Sequence, residues 1–127
     1  MLKDTKAFSS FSVKDLNQAK DFYQGKLGLN YSEDEPMTLS LKIGDQNNVL
    51  IYEKENHIPA TFTVLNFLVN NIESVVDDLS NKGVKFEIYP EGELQTDQKG
   101  IHRNGGPVIA WFKDPAGNFI SLVEDHS

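Results

Sequence analysis

Apolar and polar positions along the chain follow two rhythms, one of period two and one of three to four, and the same succession occurs twice. Residues 7–13, Ala-Phe-Ser-Ser-Phe-Ser-Val, alternate and end on a β-branched residue, which predicts a strand. Asp15, with Gln18 three residues on, has the form of a helix N-cap with a capping box. Leu16, Ala19, Phe22, Tyr23 and Leu27 then line one face of a helix that Gly28 stops. A short strand over Leu29–Tyr31, a loop over Glu33–Pro36 and an alternating strand over Thr38–Ile43 follow. Gly44-Asp45-Gln46-Asn47-Asn48 predicts a turn and Val49–Glu53 another strand, so the first half spells βαβββ.

Lys54–Ala60 is polar, holds Pro59, and is expected to connect the halves. The pattern then restarts. Thr63–Val69 predicts a strand, Asn71 an N-cap, and Ile72, Val75, Val76 and Leu79 a helical face ended by Gly83. Val84–Tyr89 predicts a strand, residues 90–106 a long loop, and Val108–Lys113 a strand. Asp114-Pro115-Ala116-Gly117-Asn118 has the residues of a tight hairpin turn, and Phe119–Glu124 closes a second βαβββ set. The halves correspond at one offset of 56 residues: Phe11 with Phe67, Val13 with Val69, Asp15 with Asn71, Leu16 with Ile72, Ala19 with Val75 and Tyr23 with Leu79. Such a repeat predicts an α+β fold of two βαβββ modules, about residues 7–54 and 62–124, sharing one curved mixed sheet with helices on its convex side. All 127 residues are expected to form a single domain.

Composition narrows the function. A formal net charge of -7 disfavours phosphate backbones and anionic lipid, so neither nucleic acid nor a membrane surface is an expected partner. The absence of cysteine excludes disulfides, thiolate metal sites and a cysteine nucleophile. Met1–Lys6 lacks the apolar core of a secretory signal, and no apolar stretch could span a bilayer, which predicts a cytoplasmic protein.

Three segments carry a family resemblance that spans about residues 7–124, one of them Phe67–Leu79, which resembles a middle strand and helix. Phe11-Ser-Val-Lys-Asp-Leu, with Ala19-Lys-Asp-Phe-Tyr23 and Lys26-Leu-Gly-Leu29, resembles the opening module of the vicinal-oxygen-chelate superfamily of glyoxalases, bleomycin-resistance proteins and extradiol dioxygenases. Trp111-Phe-Lys-Asp-Pro-Ala-Gly-Asn118, followed by Ile120-Ser-Leu-Val123, resembles its closing hairpin. The resemblance implies two modules forming a cup in which a divalent metal is held at four strand positions by His, Gln or Glu, and acts as a Lewis acid. Carried onto this chain, those positions are Phe8, Ile51, Val64 and Ser121. Three are apolar and one is a hydroxyl, whereas such ions take imidazole or carboxylate donors. No cofactor is therefore expected.

Strand alternation places Phe8, Ser10 and Ser12 on the face expected to line the cup, together with Val64, Asn66 and Leu68, and with Phe119, Ser121 and Val123. Ile51 joins them through the resemblance. His57 in the connector and His126 near the end are expected to be solvent-exposed and without a role. His102 and Arg103 lie in the long loop, from which they could reach an anionic group of a ligand or simply be solvated. Trp111 is expected to pack beneath the helix, with the pocket wall as the alternative, and Glu53 to be an exposed strand-end carboxylate, with a general base as the alternative. The resulting expectation is a metal-free protein that binds a small organic ligand in its cup, as in the bleomycin-resistance branch, and a homodimer as is usual there. Its rivals are a metal-dependent enzyme of glyoxalase or lyase type with atypical ligands, and a non-catalytic partner-binding module with a filled cup. The balance leans away from an enzyme.

Overall fold

A computed structural model describes residues 1–125, except for the side chain of Asn47; His126, expected to be exposed, lies outside the described residues. Two compact units divide the chain, Met1–Ile58 and Pro59–Ser127. Each contains one four-stranded sheet, so the fold is α+β with two βαβββ-like modules. The single curved sheet of the sequence reading resolves into these two sheets. No helix among the described residues is long and apolar enough to cross a membrane.

In the first unit the strands are β1 (Ser9–Val13), β2 (Asn30–Ser32), β3 (Thr38–Ile43) and β4 (Gln46–Glu53), in the order β1-β4-β3-β2. β1 runs parallel to β4, and the other pairs are antiparallel. Phe11, Val13, Leu39, Leu41 and Ile51 are buried on one face of this sheet, beside Ala19, Phe22 and Tyr23 of the helix. That helix, α1 (Leu16–Lys20), continues as a π-helical segment over Asp21–Lys26. The wider turn lets the consecutive Phe22 and Tyr23 both stay buried, with rings edge to face at 5.2 Å. Gly28 follows at φ 75, the left-handed conformation expected past a helix end.

The second unit holds β5 (Thr63–Val69), α2 (Ile72–Asn81), β6 (Ile101–His102), β7 (Ile109–Lys113) and β8 (Phe119–Glu124), ordered β5-β8-β7-β6. Ile72, Val76 and Leu79 of α2 are buried, as are Ala110, Phe112, Ile120 and Leu122 on alternate positions of β7 and β8. The turn at Asp114 is locked by its own side chain, which accepts from the N–H groups of Ala116 and Asn118 and from the Asn118 amide.

One expected strand is corrected. Val84–Tyr89 forms only a bridge, Phe86 with Phe112, and a hydrogen bond from Glu87 N–H to the Trp111 carbonyl. The edge of β7 is shared between this segment and β6, which pairs Ile101 with Ala110 and His102 with Ile109. Two short segments competing for one edge leave neither long enough to be a full strand.

Glu53 and Glu124, the last residues of β4 and β8, have equivalent roles. Glu53 accepts the Leu16 N–H at 2.9 Å and Glu124 the Ile72 N–H at 3.1 Å, the first helical donor in each module. Asp15 and Asn71 cap the next donors, Asn17 with Gln18 and Ser74 respectively. Each helix is thus capped by its own N-cap and by a carboxylate from the strand that ends beside it, where a negative charge also suits the helix dipole. Glu53 is a structural cap and not an exposed strand end. Glu53→Ala and Glu124→Ala are each expected to cost about 1 kcal/mol, read as a lower urea midpoint at constant slope.

Candidate functional site

In the second unit, the face of the sheet away from the buried Ala110, Phe112, Ile120 and Leu122 is built in rows. Thr63, Phe119 and Lys113 are register partners, as are Asn66, Ser121 and Trp111, and then Leu68, Val123 and Ile109. The chain after α2 folds over one end of this face. Thr96 N–H donates to the Tyr89 carbonyl at 2.8 Å and Tyr89 N–H to Thr96 Oγ1 at 3.0 Å, so residues 89–96 form a closed loop. That loop sets the Tyr89 ring edge to face with Trp111 at 6.0 Å and brings Leu94 to the same place.

The result is a recess of about 170 Å³ lined by Thr61, Phe62, Thr63, Tyr89, Leu94, Trp111 and Phe119. Phe62 and Leu94 remain 68% and 54% exposed, so large apolar surface faces solvent at the rim. Burial, followed by the charge of Glu87, pushes the Tyr89 phenol up, so the hydroxyl stays a neutral donor. Lys113 Nζ lies 5.0 Å from the centre of the Phe119 ring and 3.8 Å from Glu87. This is a concave aromatic wall with few polar groups, the kind that holds a small organic molecule. Its volume is below the range of about 300–1,000 Å³ that suits drug-sized ligands.

Trp111 is part of this wall instead of packing beneath α2; Phe112, one residue on, takes that place. Ser121 is fully buried and its hydroxyl donates to Oδ1 of the exposed Asn66, in the same row as Trp111. Leu68 lies further along the same face, 70% exposed. Val64 is displaced: the pairing shifts between Thr63 and Leu65, making Val64 the extra residue of a bulge, and Thr63 lines the recess in its stead.

His102 is neither in a long loop nor solvated. It sits in β6, 6% exposed, with Nδ1 2.8 Å from the Gln95 carbonyl and its ring 6.0 Å from that of Trp111. Arg103 pairs with Glu73 of α2 at 3.6 Å and with Asp97 of the preceding loop at 3.5 Å. Asp97 braces the same loop. Burial raises its carboxyl, but the N–H groups of Ile101 and Lys99 and the Arg103 guanidinium outweigh this and hold it below the usual range.

In the first unit, Phe8 is 67% exposed just ahead of β1, and Ser10 is exposed on β1. Ser12 Oγ lies 2.6 Å from His57 Nδ1, tying the connector to β1, so His57 is half-buried and bonded, not solvated as expected. Ile51 is fully buried and pairs with Phe11 and Leu39, which puts it on the helix side of the sheet, away from Ser10 and Ser12. Leu50, the partner of Ser10, occupies the place equivalent to Ser121, the partner of Asn66. With this correction the four positions that the resemblance assigns to metal ligands are Phe8, Leu50, Val64 (with Thr63 in its place on this face) and Ser121, and they offer hydroxyls but no imidazole or carboxylate. Among the described residues, no three His, Cys, Asp or Glu side chains are grouped to hold an ion. The donor set does not fit a divalent metal.

Residues 8–122 match the glyoxalase/bleomycin resistance protein/dioxygenase superfamily. The chain belongs to that superfamily. It is 29% identical to the Bacillus subtilis protein YurT over 136 residues, covering 91% of this chain and 95% of that one. Among solved structures, a lactoylglutathione lyase from Agrobacterium tumefaciens superposes with a TM-score of 0.68 at 19% identity, covering 98% and 96% of the two chains. The fosfomycin resistance protein FosX from Mesorhizobium loti gives 0.67 at 13%, covering 98% and 94%. TnmS3, an antibiotic-binding protein from Streptomyces sp. CB03234, gives 0.65 at 21%, covering 95% and 97%. At these identities the three structures share the fold with this chain, and one fold can host unrelated chemistries.

Proposed function

We propose that this superfamily member binds a planar, largely apolar organic molecule in the Trp111 recess without a resident divalent metal, in a sequestering or resistance role. The observation that carries the reading is the cluster of Phe62, Tyr89, Leu94, Trp111 and Phe119 around one small concavity, with apolar surface left open at its rim. Exposed aromatic groups arranged about a hollow are unfavourable in water unless something covers them, and a flat ring covers them well. The lack of donors at Phe8, Leu50, Val64 and Ser121 supports binding over Lewis-acid catalysis. Antibiotic binding by TnmS3, a relative in fold, is compatible with this role. The same reading places the protein in the cytoplasm, as a homodimer, with no nucleic-acid or membrane partner.

Calorimetric titration with 2-naphthol tests it. Saturable binding is expected, weakened about tenfold or more in Trp111→Leu, since aromatic anchors dominate such contacts. No saturable heat, or equal binding by the variant, would rule out the recess.

A further inference from the structure

We infer that the recess selects uncharged ligands bearing a hydrogen-bonding oxygen, and that the Tyr89 hydroxyl is the group that recognises this oxygen. This rests on the recess being the ligand site. Apart from the Trp111 indole N–H, the polar side-chain groups of its lining are the hydroxyls of Thr61, Thr63 and Tyr89, and none of the lining side chains is charged. The charges described beside its walls are Lys113, over the Phe119 ring, and Glu87, which acts on Tyr89. They lie 3.8 Å from one another, so each offsets the other. An ionised ligand would give up water at this wall without gaining an unpaired counter-charge.

Of the three hydroxyls, that of Tyr89 is on the residue the loop closure fixes. Its backbone is already committed, the N–H to Thr96 Oγ1 and the carbonyl to Thr96 N–H. Its ring is held edge to face with Trp111 at 6.0 Å. Its hydroxyl has no hydrogen-bond partner among the described residues. It is not sealed off, because no fully buried side-chain nitrogen or oxygen among the described residues lacks a partner. Burial pushes the phenol up, so the group offers an O–H and not a charge. A ligand carbonyl can accept that hydrogen, in place of the water that otherwise does. A ligand of the same shape without the oxygen displaces the water and returns nothing.

Three naphthalenes of nearly one shape provide the test. In 2-acetonaphthone the substituent is a neutral ketone; in 2-isopropenylnaphthalene a methylene group replaces the ketone oxygen; in 2-naphthoate the substituent is an anion. Trp111 is the sole tryptophan, so in ¹⁵N-labelled protein its one indole N–H signal reports occupancy of the recess. Wild type is expected to bind the ketone about fivefold tighter than the alkene and about tenfold tighter than naphthoate. Tyr89→Phe keeps the ring and is expected to bind ketone and alkene equally, with the affinity for the alkene unchanged. The wild-type comparison decides the selectivity even if Tyr89→Phe does not fold. Equal binding of ketone and alkene by wild type, a preference that survives in Tyr89→Phe, or naphthoate binding as tightly as the ketone would overturn the inference and leave the recess standing. Failure of all three to move the Trp111 signal would overturn the recess and this inference together.

Discussion

Phe112→Ala should remove about 3–5 kcal/mol of stability. Phe112 is fully buried in β7, faces the apolar side of α2 and meets the Phe86 ring edge to face at 5.3 Å. It also forms the bridge with Phe86 that, with the hydrogen bond from Glu87 N–H to the Trp111 carbonyl, ties the 84–89 segment to the sheet. Truncation leaves a void between strands already fixed by β8 on one side and the Phe86 bridge on the other, so the walls have little room to collapse. Domains are stable by about 5–15 kcal/mol, so such a loss approaches the whole of it. Urea unfolding, with the slope unchanged, measures the effect. A loss below about 1 kcal/mol would mean that Phe112 is not the centre of the second core.

Gly100→Ala is expected to cost about 2–5 kcal/mol, combining left-handed backbone strain with overpacking. Gly100 has φ 89, and an added Cβ would stand 2.8 Å from Phe86 Cβ and 3.0 Å from the Glu87 carbonyl. This is the point where the 84–89 segment passes against the start of β6. Only a residue without a side chain lets both share the edge of β7. Gly105→Ala provides the comparison: its φ is 82 with no atom near the added group, so it carries the backbone strain alone. The Gly100 variant should unfold at a clearly lower urea concentration than the Gly105 variant. Equal midpoints would remove the close approach from the account. Because Gly100 leads directly into Ile101 and His102, the variant should also disturb the recess.

What was legible in the sequence was local or repeated. The helical faces of Leu16 to Tyr23 and Ile72 to Leu79, the caps at Asp15 and Asn71, and the Asp114 turn each depend on residues within a few positions. The repeat of 56 residues fixed the two-module architecture. What was not legible depended on register and on long-range competition. The resemblance puts Ile51 on the cup face, whereas its pairing with Phe11 and Leu39 puts it on the opposite one, because the first hairpin does not match the second. The first turn is only Gly44 and Asp45, with Ile43 paired to Gln46 and a register shift beyond it. One residue of slip inverts every side chain on a strand. The bulge at Val64 likewise leaves no trace in an alternating pattern. The recess itself is half visible in the sequence: the pocket wall is an alternative place for Trp111, but Tyr89 and Leu94 reach it only through the 89–96 loop closure. A Tyr, a Thr and a Leu within eight residues of polar loop were the available signal, and nothing local said that they fold back onto the sheet.

The most direct measurement is thermal unfolding of chelator-treated protein with Zn²⁺, Ni²⁺, Mn²⁺ or Fe²⁺ added, and in parallel with 2-naphthol. A ligand of the native state at about a hundred times its dissociation constant adds about 2.7 kcal/mol, which is several degrees for a domain of this size. 2-Naphthol is expected to raise the midpoint saturably, and none of the metals is. A saturable rise with one metal would contradict the metal-free reading, because Phe8, Leu50, Val64 and Ser121 provide no site that could bind it.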